Sequence, residues 1–68
     1  MYKGVVKWNG NHYFKGQEVI GSKFRELDGV VEIFDDEEQS AVIDGHHFDF
    51  TRHEWVEVDK ESFEELPQ

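Results

Sequence analysis

Three histidines and two acids, His46, His47, Asp49, His53 and Glu54, fall within nine residues. Imidazole and carboxylate together make a donor set that zinc or nickel accepts. The spacing limits what they can build. On a strand, the adjacent His46 and His47 point to opposite faces. His47 and Asp49 share a face, and His53 reaches them only if the connection after them folds back. The largest candidate metal site is therefore His47, Asp49 and His53, two histidines and one carboxylate. The competing reading is that His47 and Asp49 are ordinary cross-strand surface residues and His46 is partly buried. No cofactor is expected.

A second group is acidic. Asp35, Asp36, Glu37 and Glu38 follow one another without a break. Mutual repulsion and low strand propensity place such a run at a loop tip. Displayed there, and joined by Glu61, Glu64 and Glu65, the carboxylates could imitate nucleic acid and block a DNA- or RNA-binding protein. A third group is aromatic. Trp8, Tyr13 and Trp55 are amphipathic rings of the type that dominates protein contact surfaces. Trp8 with Tyr13 and Phe14 could equally form a platform for bases, and one or both Trp could instead sit in the core.

The stretch Lys3-Gly4-Val5-Val6-Lys7-Trp8-Asn9 resembles the first strand of cold-shock domains, which begin with a similar lysine, glycine, valine, lysine, tryptophan pattern. The resemblance implies binding of single-stranded nucleic acid, with Trp8 stacking on bases and Lys7 facing phosphate. It spans seven residues. Asn9 stands where the family has a second aromatic, and Asn11–Phe14 lacks the alternating glycines. The strand His46-His47-Phe48-Asp49-Phe50 loosely echoes the family's aromatic-histidine-aromatic strand.

Charge bears on all three readings. Of the net −9, residues 1–27 carry +3 and residues 28–68 carry −12. Phosphate contact drives nucleic-acid affinity, so an acidic chain starts with the wrong sign. Lys3, Lys7, Lys15, Lys23 and Arg25 could still hold phosphate if the two halves packed as opposite faces. Catalysis has little to work with. There is no cysteine, and Ser22, Ser40 and Ser62 lack a nucleophile-elbow setting. No phosphate-binding glycine loop is present. A fold this small offers no deep cleft to raise a carboxyl pKa, so a non-enzymatic protein is expected.

The elements that must position these groups read as short strands. Val5–Trp8 and Asn11–Phe14 flank Asn9-Gly10, a hairpin signal, because a type I′ turn needs positive φ at both central residues. Asp28-Gly29 and Asp44-Gly45 carry the same signal. They predict strands at Lys23–Leu27, Val30–Phe34, Ser40–Asp44 and His46–Phe50, with a last strand at Glu54–Val58. Val19-Ile20 reads as a short apolar anchor. Alternation assigns Val31, Ile33, Ala41, Ile43, Phe48 and Phe50 to the interior. Asp59 could cap a short helix over Lys60–Leu66, docked through Phe63 and Leu66.

Sixty-eight residues make one domain, and such a chain buries only about 60% of its unfolded surface. With no cysteine to staple it, the ten aromatic rings must fill the core. These features predict an all-β fold, a small SH3-like barrel of five or six short strands in a meander over residues 1–58, with a helix or tail over 59–68. An OB-like barrel is the alternative. No apolar run is long enough to span a membrane. Met1–Trp8 has no signal-peptide core, so a cytoplasmic location is expected. The function expected is that of a small acidic interaction module or accessory factor whose partner is another protein. Nucleic-acid mimicry and single-stranded nucleic-acid binding are the alternatives.

Overall fold

Two Asp-Gly pairs make the tightest corners of the chain. Asp28 and Gly29 take φ of 53° and 80°, and Asp44 and Gly45 take 51° and 78°. Left-handed values at both central residues define the hairpin turn that matches strand twist. The computed structural model describes residues 1–67. Its strands are β1 (Tyr2–Val5), β2 (Glu18–Gly21), β3 (Lys23–Leu27), β4 (Val30–Asp35), β5 (Gln39–Ile43), β6 (His46–Phe50), β7 (Glu54–Val58) and β8 (Glu64–Glu65). A 3-10 turn at Lys60–Ser62 is the only helical element described.

The fold is all-β. The strands pair antiparallel in three small sheets, ordered β2-β1-β8, β3-β4-β7 and β5-β6. The order is not a simple meander, because β7 pairs with β4 and the β5-β6 hairpin is inserted between them. The first two sheets meet over one core. Val31 and Ile33 from β4 face Val56 and Val58 from β7, and Val6, Tyr13 and Val19 close over them. A single bridge, Val6 to Val58, joins the two sheets by backbone. Beside the core, Tyr2, Phe24 and Phe63 form a three-ring cluster, with centroids 4.7–5.8 Å apart.

Four sequence expectations are corrected. Asn9-Gly10 is not a hairpin turn, and neither residue takes positive φ. Asn11–Phe14 is not a strand. Asn9 Oδ1 instead accepts the Lys15 N–H at 2.8 Å, and the Gly10 N–H reaches the Tyr13 carbonyl at 2.9 Å. The segment therefore folds on itself, and β1 pairs with β2, built around the Val19-Ile20 anchor.

The expected C-terminal helix is replaced by the 3-10 turn and β8. Asp59 makes no side-chain cap there. Phe63 is drawn out of any helix by stacking on Tyr2, and the Leu66 N–H bonds the Met1 carbonyl at 2.9 Å. The tail thus supplies the third strand that β1 would otherwise lack.

The acidic run is not a loop tip throughout, because Asp35 ends β4 and is 2% exposed. Finally, Ala41, Ile43, Phe48 and Phe50 are not core. None is buried, and Ile43 and Phe48 are 59% and 49% exposed.

Two glycines permit the sheets to close. A Cβ at Gly4 would lie 2.8 Å from Val58, and one at Gly21 would overlap the carbonyl of Phe34. The second obstacle is backbone and cannot rotate away. Gly21→Ala should therefore cost about 1–3 kcal/mol or more of stability, read from the urea midpoint. Gly10→Ala, where a Cβ meets nothing within 4 Å, should change the midpoint little.

Candidate functional site

Tyr13 lies in the middle of the segment between β1 and β2, and its ring is core. Its hydroxyl donates a short hydrogen bond to the Asp35 carboxylate. Gln39 Nε2 adds a longer contact to the same carboxylate at 3.4 Å. A buried carboxylate is costly without donors, and these two side chains supply them. Burial pushes the Tyr13 phenol well above its usual range, and the hydrogen bond and negative charge of Asp35 push it further. Arg52, with its guanidinium 5.9 Å from the Tyr13 ring centroid, opposes this weakly.

Pinning Tyr13 inward leaves Trp8 outside, at 60% exposed. Trp8 borders a cleft of about 200 Å³ whose other walls are Tyr13, Trp55, Glu54 and Glu57. Trp8, Tyr13 and Trp55, distant in sequence, therefore line one feature. Their burial differs: Trp8 is exposed, Trp55 is half-buried, and Tyr13 is buried and forms the floor.

Carboxylates fix the rim. Trp8 Nε1 donates to Glu57 Oε1 at 2.9 Å, and Lys7 Nζ lies 3.6 Å from Glu57 Oε2. His12 Nδ1 sits 2.9 Å from Glu54 Oε2. The signals for His12, Glu54 and Glu57 as rim residues were absent from the local sequence, because their partners are 42 and 49 positions away.

The outer face of β3-β4-β7 continues the cleft. Phe34 and Trp55 are cross-strand neighbours with centroids 5.1 Å apart. Lys23 lies over Phe34 at 4.7 Å, and Arg25 over Trp55 at 4.1 Å. Arg25 also bonds Glu32 at 2.8 Å. The basic N-terminal half does not form a separate face. Lys3 pairs with Glu18 and Glu64, Lys7 with Glu57, Arg25 with Glu32, and Lys60 with Glu26.

The other candidates are dispersed. In the acidic run, the Ser22 hydroxyl and N–H both bond Asp36, which holds its carboxyl below the usual range, the hydroxyl contributing most. Only Glu37 and Glu38 of the four remain as exposed carboxylates. His47 and Asp49 do share a face, but Asp49 accepts from Ser40 Oγ at 2.8 Å, and His53 lies against Phe34 with centroids 6.3 Å apart. Among the described residues, no three His, Cys, Asp or Glu side chains converge on a metal position. Among them, too, no helix is long and apolar enough to cross a membrane.

The Tyr13–Asp35 contact gives a pH signature. A phenol held protonated by the fold stabilises it fully below its unfolded value near 10, and that contribution is lost as pH rises through the higher folded value. Tyr13→Phe should cost about 1–3 kcal/mol at neutral pH, because Asp35 loses its donor. It should also flatten the fall in stability above about pH 10, measured as urea midpoint against pH. Comparison of the chain with protein-family models, curated proteins and solved structures gives no significant match.

Proposed function

We propose that this protein is a small acidic, non-enzymatic interaction module that binds another protein through the cleft between Trp8 and Trp55. One observation carries the reading: Trp8, Tyr13 and Trp55 converge on a single open cleft, with one ring exposed and one half-buried. Aromatic anchors ringed by polar groups are the usual energetic centre of a protein contact. Glu54 at the rim suits a partner with a basic residue beside an apolar anchor, while Glu57 is already paired with Lys7 and Trp8. On this reading the two core sheets act as an SH3-like scaffold, and loops rather than chemistry do the work.

A second reading keeps single-stranded nucleic acid as the ligand. It is favoured by Lys7, Lys23 and Arg25 lying over Trp8, Phe34 and Trp55, since stacking rings beside cations form such sites. Against it, Lys7 and Arg25 are already paired with Glu57 and Glu32. Acidic mimicry of nucleic acid is weaker, because Asp35 is buried against Tyr13 and Asp36 is bonded to Ser22.

Capture of a partner from host extract, followed by titration of the purified pair, tests the main reading. Trp8→Ala should weaken that complex by about 2 kcal/mol or more while leaving the fold intact. Unchanged affinity in both Trp8→Ala and Trp55→Ala would sink it. For the second reading, tryptophan fluorescence should respond to an oligonucleotide with steep salt dependence. No response at low salt removes that reading.

A further inference from the structure

The β5-β6 hairpin stands apart from the cleft and touches the core only at its base, where Gln39 Nε2 lies 3.4 Å from the Asp35 carboxylate. Its strands pair with each other along five residues and join neither of the other sheets. The radius of gyration, 12.7 Å, exceeds the roughly 11 Å of a compact chain of this length, as a projecting arm requires. One face of the arm carries Ala41, Ile43, Phe48 and Phe50, and the other carries Val42 beside His47. Val42 and Ile43 are 63% and 59% exposed.

The edge of β5 is unguarded. Edge strands are normally blunted by charge, proline or a bulge, and Gln39-Ser40-Ala41-Val42-Ile43 has no charge and no proline. Its ladder runs in unbroken one-to-one register with β6. In a hairpin with a two-residue turn, the pair flanking the turn, Ile43 and His46, is the hydrogen-bonded one. The N–H and C=O of Ser40 and Val42 therefore point away from β6, into the free edge.

Charge selects the occupant. Residues 37–50 hold four carboxylates, Glu37, Glu38, Asp44 and Asp49, and no lysine or arginine. Two copies joined antiparallel through β5 would set Glu38 of one against Asp44 of the other at both ends, which like-charge repulsion opposes. A strand with basic ends would meet those carboxylates favourably. We propose that the free edge of β5 takes an extended segment of another protein, apolar along its middle and basic at its ends, as a third strand of the arm. Main-chain bonds at Ser40 and Val42 give affinity, the Ile43–Phe48 face takes alternate apolar side chains, and the carboxylates at either end set polarity.

The test uses the full chain and a fluorescein-labelled synthetic peptide of alternating valine and threonine between lysine pairs. Its counterpart carries glutamate pairs instead. The lysine-flanked peptide should bind saturably, with roughly tenfold weaker binding for the glutamate-flanked one. Val42→Pro, which removes an outward N–H, and Ile43→Thr, which keeps the strand but removes apolar contact, should each weaken binding by a similar factor. Trp8→Ala should leave it unchanged, which separates this edge from the tryptophan cleft. The idea is overturned by any of three results: no binding of the lysine-flanked peptide, equal binding of both peptides, or wild-type binding by both arm variants. It is equally overturned if ultracentrifugation shows a dimer that Val42→Pro dissolves, since the edge then serves a second copy.

Discussion

The hydrogen bond from Tyr13 to Asp35 is the contact on which the arrangement turns. It crosses the core between a segment with no regular structure and the last residue of β4. Without it, residues 7–17 would be held by a few backbone bonds to Val6 and Glu57 and by exposed side-chain contacts of Lys7, Trp8 and His12 with Glu57 and Glu54. With it, the segment becomes a lid on the core, Tyr13 becomes the floor of the cleft, and Trp8 is turned to solvent. One buried polar pair thus fixes both a structural closure and a surface, an arrangement that tolerates little error because Asp35 without Tyr13 would keep only the long contact from Gln39.

Electrostatics follows the same economy. Lys3, Lys7 and Arg25 of the N-terminal half reach Glu64, Glu57 and Glu32 of the C-terminal half, in pairs that are mostly solvent-exposed and individually weak. Their collective effect is to reduce the basic surface that the linear sequence implies, Lys3, Lys7 and Arg25 each lying beside a carboxylate. What remains is acidic along the arm and at the tail, with cations retained mainly over aromatic rings.

Local signals were legible and distant ones were not. Asp28-Gly29 and Asp44-Gly45 declare their turns because the requirement for positive φ is satisfied within two residues. The strands they flank follow at nearly the expected bounds. Asn9-Gly10 carries the same signal and fails, since Tyr13 gains more from Asp35, 22 positions away, than from a local ladder. The tail departs from its local helical spacing for a similar reason. Its spacing fits a helical turn, but Ser62 Oγ accepts the Val5 N–H across 57 positions and Phe63 joins Tyr2 and Phe24. Of the residues that line the cleft, Trp8 and Trp55 were identifiable by type, while their juxtaposition with Glu54 and Glu57 exists only after folding. Alternation found Val31 and Ile33, but the same pattern in Ile43 and Phe48 marks a face that the core leaves open.

The arm also has a consequence for how the chain folds. The core strands β4 and β7 are separated by the eighteen residues 36–53 between the paired Asp35 and Glu54. Closing a flexible loop of that length carries an entropic cost that grows with the residues left free. Asp44-Gly45 can bring Gln39 to Phe50 on the microsecond scale of local hairpins. Only a few residues on either side then remain to be ordered. An element with no side chain in the core thereby shortens the search by which the two central core strands find each other.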